Sequence, residues 1–459
     1  MNTLHEPFSV IFGLGQTGLS CVRYGYKIGM PFCVVDTRAS PPNLSEFSNA
    51  YPNIDLFLGD DLKNDIKIDS ILKQARQIIV SPGVDIAREP FLQEAKRRGI
   101  PLIGDIELFA QSCKLPYIAI TGSNGKTTVT TLVGKLIESL GMRVGVGGNI
   151  GIPALDLLSE EKKFEVFVLE LSSFQLETTY SLHPTVATIL NITPDHLDRY
   201  ACYDDYITAK QKILENAIMI VPPSALETPK VGRFGIVHHN HQDWFALNPS
   251  EGESIQLLCA VSDLQLVGAH NYLNVISALS LVHRLGVCLG LQWKSMIAPI
   301  ITTLKTFQGL DHRCQPVHFN AGITWINDSK GTNIGASVSA LKSIVQMIEP
   351  PGKMILIAGG DGKNQDFELL REGIDPLQGC MRQIILIGKD ALQIQKALNQ
   401  SIASVCMDTL AQAVHLANQI AQKGDFVLLS PSCSSLDQYS SYVARGEDFI
   451  ATIKSLNKE

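Results

Sequence analysis

The sequence has ten cysteines, scattered from Cys21 to Cys433, but no Cys-x-x-Cys pair among them. That spacing excludes a zinc ribbon and offers no disulfide framework, so reduced and mostly buried thiols are expected. No run of about 18 apolar residues is present to cross a bilayer. The opening M-N-T-L-H-E-P-F lacks the basic and apolar stretches of a signal peptide. A cytoplasmic protein without membrane insertion is the expectation. A surplus of positive charge is also missing: 38 Lys and Arg stand against 45 Asp and Glu, a formal net charge of -7. A phosphate polymer finds no general attraction in such a chain, so nucleic acid is not expected and any phosphate must be held by a local arrangement. Repeats, heptad seams and low-complexity tracts are absent too, which removes solenoid and coiled-coil scaffolds.

What is present is enough apolar material for several cores: 459 residues, 45% of them hydrophobic, predict about three domains. Short apolar runs alternate with helical-looking segments. Buried parallel strands are predicted at residues 9–12, 32–35, 77–80 and 101–103, then at 117–121, 166–171 and 186–190, and again at 324–327, 354–358, 384–387 and 426–429. Three α/β units in series result, with boundaries expected at 1–112, 113–309 and 310–459.

The strongest local signal is T-G-S-N-G-K-T-T at Thr121 to Thr128, directly after a predicted strand and before a helical run. Gly122 and Gly125 let the backbone curl so that the N–H groups around Ser123 and Asn124 face a phosphate, and the helix beginning near Thr128 adds its positive end. Lys126 is placed to reach the β and γ phosphates, and Thr127 to offer a hydroxyl to magnesium. The glycine spacing is two residues shorter than G-x-x-x-x-G-K-[ST], which argues against a generic GTPase or kinase loop. A chance turn at a strand–helix junction would not hold all of this chemistry in register.

Glu170 ends an apolar strand where open α/β sheets place ligands, and is a candidate magnesium carboxylate. After the next strand comes N-I-T-P-D-H-L-D-R-Y, Asn191 to Tyr200, and then Lys210 in Y-I-T-A-K. Taken singly these residues read as a solvated charged loop. Together with G-G-N-I-G (Gly147 to Gly151) and L-E-L-S-S-F-Q-L (Leu169 to Leu176), however, the phosphate loop and D-H-L-D-R-Y resemble the Mur ligases, in matching order. The resemblance covers nearly the whole chain and is weakest at 60–78 and 222–264. It implies a Rossmann-like N-terminal domain, a central P-loop ATPase-like domain and a Rossmann-like C-terminal domain. It also implies ATP, two Mg2+ ions and a monomer, with Lys210 carbamylated and joining Thr127, Glu170 and His196 as metal ligands. Lys126, His196, Lys210 and Arg313 are then the catalytic set.

The same resemblance assigns Asn271, Arg313 and Asp328 to ATP, through G-A-H-N-Y-L-N, G-L-D-H-R and N-D-S-K-G-T-N. Thr332, Lys363, Ser435, Leu436 and Tyr442 fall at amino-acid positions of the branch that adds D-glutamate, with Tyr442 standing where phenylalanine is expected. In the first domain Gly13, Gly15 and Gly18 form G-x-G-x-x-G with Asp36 ending the next strand, which alone reads as a dinucleotide site. The resemblance gives this domain instead to the UDP of a UDP-N-acetylmuramoyl-L-alanine substrate, lined by Gln16, Thr17, Thr37, Arg38, Ser81, Pro82 and Gly83, with Asn149 and His196 toward the sugar–peptide end. His238, His239 and His241 lie outside every matched motif and are expected in a solvated loop. The implied activity is ATP-dependent ligation through an acyl phosphate. The alternatives are a related ligase adding another amino acid, a folate polyglutamating enzyme, a nicotinamide-dependent oxidoreductase built on Asp36, or a non-catalytic nucleotide-binding regulator.

Overall fold

A computed structural model describes residues 7–196, 199–266, 268–320, 322–363, 365–398 and 403–456. Leu197 and Asp198 of the D-H-L-D-R-Y segment lie outside the described residues.

Three α/β units follow one another. The first sheet holds β1 (Phe8–Phe12), β2 (Phe32–Asp36), β3 (Leu56–Leu58), β4 (Ala75–Val80) and β5 (Leu102–Ile103), all parallel, in the order β3-β2-β1-β4-β5. The second holds β6 (Tyr117–Thr121), β7 (Val144–Gly148), β8 (Val166–Glu170), β9 (Val186–Ile189) and β10 (Met219–Val221), again parallel, in the order β10-β9-β6-β8-β7. Val166 to Glu170 are buried without exception, as a strand covered by helices on both faces must be.

A small antiparallel sheet, β11 (Arg233–His239), β12 (Gln242–Asn248) and β13 (Gln256–Ala260), follows. The expectation of a loop around the histidines is corrected here. His238 and His239 end β11 and His241 sits in the hairpin turn at φ 62°, while their side chains remain in solvent. The polar tip hid strands whose inner face, Phe234, Phe245 and Leu247, is buried.

The last sheet holds β14 (Gln315–Asn320), β15 (Ile323–Asn327), β16 (Met354–Gly359), β17 (Met381–Ile387), β18 (Ser404–Cys406) and β19 (Phe426–Leu429), ordered β14-β15-β19-β16-β17-β18. Only β14 runs antiparallel to its neighbour.

In each large sheet the loops that carry the sequence motifs leave adjacent strands. They follow β2, β1 and β4 in the first sheet, β9, β6, β8 and β7 in the second, and β15, β19 and β16 in the third. Parallel strands align their carboxyl ends, so motifs distant in sequence meet at one edge.

The first two sheets share a core. The helix Asp105–Ser112 carries Phe109 edge-on against Tyr117 and Phe167, with ring centroids 5.4 and 5.6 Å apart. The cores of the third sheet draw on residues between Cys314 and Ile453. Polar contacts from this unit reach the phosphate loop.

Candidate active site

The helix Lys126–Ser139 buries Val129, Leu132, Val133, Leu136 and Ile137, which fixes the direction of its N-terminus. Gly125 caps it at φ 81°, a left-handed conformation that glycine alone adopts without strain, and a Cβ there would lie 2.5 Å from Asn274 Oδ1. The loop after β9 splints the phosphate loop. Asn191 Oδ1 accepts from Asn124 N at 2.9 Å, and Asn191 Nδ2 donates to Asn124 O at 3.0 Å. Ser123 Oγ bonds Thr193 O and the Tyr206 hydroxyl, both at 2.9 Å.

Cations converge on this loop. Lys126 Nζ donates to its own loop carbonyls, Gly122 O at 2.7 Å and Ser123 O at 2.8 Å. Burial lowers its pKa, and Glu170 and Asp195 partly offset that. Lys210, 1% exposed, donates to Gly122 O at 3.0 Å and sits 4.6 Å over the Tyr206 ring. Burial, helped by the charge of Lys126, brings its pKa down to about 7. Arg313, arriving from the third unit, donates to Thr127 Oγ1 at 2.6 Å, and burial lowers its pKa as well. Lys330 lies 4.1 Å over the Tyr442 ring, its pKa lowered to about 8 chiefly by burial and then by Arg313. Four crowded cations thus share this centre, an arrangement whose repulsion a polyanion relieves.

Glu170, 2% exposed, is the fully buried carboxylate at the end of β8. Its Oε1 accepts from Asn149 Nδ2 at 2.9 Å, whereas Oε2 is buried with no hydrogen-bond partner. An orphaned carboxylate oxygen fits a hard divalent cation. Among the described residues no group of three or more His, Cys, Asp and Glu is gathered to hold a metal. His196 adopts φ 57°, lies edge-on to Phe174 at 4.8 Å and is half exposed, its Nε2 3.8 Å from Asp195 Oδ2.

A cleft of about 350 Å³ opens beside the loop, lined by Asn124, Gly125, Thr128, Asn271, Arg313 and Asp328 of the predicted set. His270, Asn274, Ser277, Lys330 and Gly335 also line it and were not singled out from sequence. His270 Nδ1 meets Ser343 Oγ at 2.9 Å, and burial lowers the pKa of its ring to about 4, which keeps it neutral. Asp328 is pushed up to about 6 by burial, against the hydrogen bond from Ser430. Asn333 caps the helix Ile334–Val345 through Ala336 N and donates to Asp195 Oδ2 at 3.0 Å, so one side chain ends a helix and closes the third unit onto the second.

The amino-acid candidates gather at the edge of the third sheet. Asp361 and Ser434 exchange backbone hydrogen bonds of 3.0 and 2.9 Å, and Ser432 N donates to Gly331 O at 2.8 Å, so all three loops touch. Ser435 is buried, Leu436 is 65% exposed, and Lys363 stands in solvent at φ 49°. Thr332 is half-buried beside Lys330, and Tyr442 opens the helix Tyr442–Ser455. Beneath them Arg445, 1% exposed, donates to Ser329 Oγ at 3.0 Å, Ser329 O at 2.8 Å and Cys433 O at 3.3 Å. No local motif announces this arginine, because its partners lie in two distant loops.

A second cleft, of about 480 Å³, is lined by Gln16, Thr17, Thr37, Arg38, Ser81, Pro82 and Gly83 together with Gly13, Gly15 and Asp36. Asn149 stands apart from it, at Glu170. Asp36 has its oxygens occupied: they accept from Leu14 N at 2.7 Å and from Arg38 N, Nε and Nη2 at 2.9, 2.9 and 2.7 Å. Burial alone would raise its pKa, but Arg38 and these backbone donors hold it below the usual carboxylate range. The carboxylate therefore aims Arg38 and is not offered to a ribose diol, which removes the basis for a nicotinamide reading.

Three units each presenting loops at one sheet edge, with a cationic phosphate centre between the second and third, define an ATP-dependent ligase architecture. Family models agree along the chain: the Mur ligase MurD-like N-terminal domain matches residues 8–104, the Mur ligase middle domain 120–282, and the Mur ligase glutamate ligase domain 312–433. The UDP-N-acetylmuramoylalanine–D-glutamate ligase of Marinobacter nauticus is 43% identical over 460 residues, covering 98% of both chains. That of Pseudomonas aeruginosa is 41% identical over 470 residues, again covering 98% of each. Among solved structures, a pseudomurein peptide ligase type C from Methanothermus fervidus shares the fold at a TM-score of 0.57 and 18% identity, covering 98% of this chain and 100% of its own. The MurF ligase of Thermotoga maritima, solved with ADP, does so at 0.56 and 14%, covering 100% and 97%. The chain belongs to the Mur ligase family.

Proposed function

We propose that the protein joins D-glutamate to UDP-N-acetylmuramoyl-L-alanine at the expense of ATP, a step of peptidoglycan precursor synthesis. The observation that carries this reading is the crowded cation centre of Lys126, Lys210, Arg313 and Lys330, which a triphosphate would neutralise, set between the cleft at Arg38 and the loops at Lys363. The D-glutamate ligases at 41–43% identity support the choice of substrates.

We assign residues 1–112 to the UDP end of the acceptor, 113–309 to ATP and 310–459 to the amino acid. The alanine carboxylate attacks the γ-phosphorus of ATP, forming a C–O–P linkage as the bond to ADP breaks. Lys126 leaves its loop carbonyls to meet the β and γ phosphates, and Arg313 faces the charge that builds on the transferred group. The amine of D-glutamate then adds to the acyl carbon, gives up a proton, and phosphate departs as the amide forms. Lys363, Thr332, Ser435 and Leu436 orient the incoming amino acid, and Lys363 pairs with its side-chain carboxylate.

Magnesium, when bound, supplies positive charge opposite the phosphate oxygens. Thr127, Glu170, His196 and a carbamylated Lys210 would hold two such ions. The burial of Lys210 supports the carbamate, because a neutral buried amine is the form that adds carbon dioxide. Among the described residues no helix is long and apolar enough to cross a membrane. We place the protein in the cytoplasm as a monomer.

The test is phosphate release from ATP with UDP-N-acetylmuramoyl-L-alanine, with D-glutamate set against L-alanine, L-glutamate and no amino acid. Release that requires D-glutamate is expected. Dependence on another amino acid would keep the ligase and change its substrate, and absence of release would overturn the reading.

A further inference from the structure

Arg199 lies one residue before the end of the D-H-L-D-R-Y segment, yet its guanidinium reaches across to the first unit of the fold. Nη1 donates to Pro82 O at 2.9 Å, and Nη2 donates to Val84 O at 3.0 Å and to Glu177 Oε2 at 3.1 Å. The guanidinium carbon lies 4.0 Å from the centroid of the Phe174 ring, and the side chain is only 13% exposed. Pro82, Gly83 and Val84 line the 480 Å³ cleft. At the other end Arg199 N donates to His196 O at 3.0 Å, and the His196 ring rests 4.8 Å from the same Phe174 ring. A continuous set of contacts therefore runs from the cleft wall through Arg199 and Phe174 to His196.

We infer that Arg199 is a positioning residue that fixes the wall of the acceptor cleft against the catalytic loop. It sets where the carboxylate end of the acceptor arrives when the nucleotide end is seated. This rests on the reading of that cleft as the UDP site. The planar fork is what the geometry requires: two carbonyls two residues apart are bridged by separate nitrogens held in one plane, a spacing that the single nitrogen of a lysine ammonium does not reproduce. Glu177 and the Phe174 face hold the fork in a single orientation.

Two measurements on the full chain decide it. In steady-state kinetics, Arg199→Met is expected to raise KM for UDP-N-acetylmuramoyl-L-alanine about 10- to 100-fold, the loss of charged hydrogen bonds to the wall. KM for ATP and for D-glutamate should stay within about twofold, and Arg199→Lys should recover part of the loss. A merely structural arginine would lower kcat with the folded fraction and leave all three KM values alone, which would overturn the proposal. In hydrogen exchange without substrates, Arg199→Met should speed amide exchange in residues 82–85 while the helix Lys126–Ser139 keeps its protection. Unchanged exchange in residues 82–85 would overturn the tie itself. A wild-type chain that failed to use the acceptor would bring down the reading of the cleft, and the exchange result would still decide the tie.

Discussion

Arg313 Nη2 donates to Thr127 Oγ1 across 2.6 Å, joining residues 186 positions apart in sequence. The third unit thereby places a cation at the hydroxyl that opens the phosphate-loop helix. Arg313→Ala should lower kcat about 100- to 1000-fold, the usual loss for one preorganised charge stabiliser, with KM for the acceptor little changed. Steady-state kinetics with each substrate varied in turn checks this.

Among the described residues the hydrogen bonds of Lys126 Nζ run to its own loop carbonyls at Gly122 and Ser123, so its removal leaves no distant partner there unpaired. Lys126→Ala should cost about 100- to 1000-fold in kcat with a melting temperature close to wild type. Wild-type turnover in this variant would sink the phosphate-loop assignment.

Tyr442 meets Lys330 with its ring face at 4.1 Å. Phenylalanine keeps that face, so Tyr442→Phe should hold kcat/KM for D-glutamate within about threefold, whereas Tyr442→Leu removes a contact worth about 1 kcal/mol and should cost fivefold or more. Amino-acid titrations of the two variants separate ring from hydroxyl.

Asp105 is 2% exposed, with Oδ2 bonded to Gln175 Nε2 at 3.0 Å and Oδ1 buried without a partner. Burial raises its pKa from 3.8 to about 6. Between those values the folded state binds a proton that the unfolded chain has released, so its contribution to stability falls as pH rises from about 4 to 6 and is flat above. The ionised carboxyl costs about 3 kcal/mol. Asp105→Asn should therefore gain stability relative to wild type by up to that amount between pH 4 and pH 8, read from urea unfolding at both. A difference independent of pH would contradict the buried-acid assignment.

Much of the fold was legible because its signals are local. Buried parallel strands such as Val166–Glu170 are apolar up to the carboxylate that ends them, and the phosphate loop announces itself by glycines between strand and helix. Several of the strands that escaped notice had weak patterns. Val144–Gly148 is three-fifths glycine, Leu56–Leu58 is a short, partly exposed edge, and the β11–β12 hairpin carries its histidines at a polar tip.

The sequence by itself determined the α/β class, the phosphate loop and the residues at the strand ends, since φ preferences and apolar periodicity act over a few neighbouring residues. Only the tertiary structure decided that Asp36 serves Arg38, that Arg445 underpins two loops and that Lys210 titrates near 7. Burial and hydrogen-bond partnership belong to pairs of residues far apart in the chain. Folding fixes them by setting which sheet edge faces which loop, and neither can be read from a residue and its neighbours.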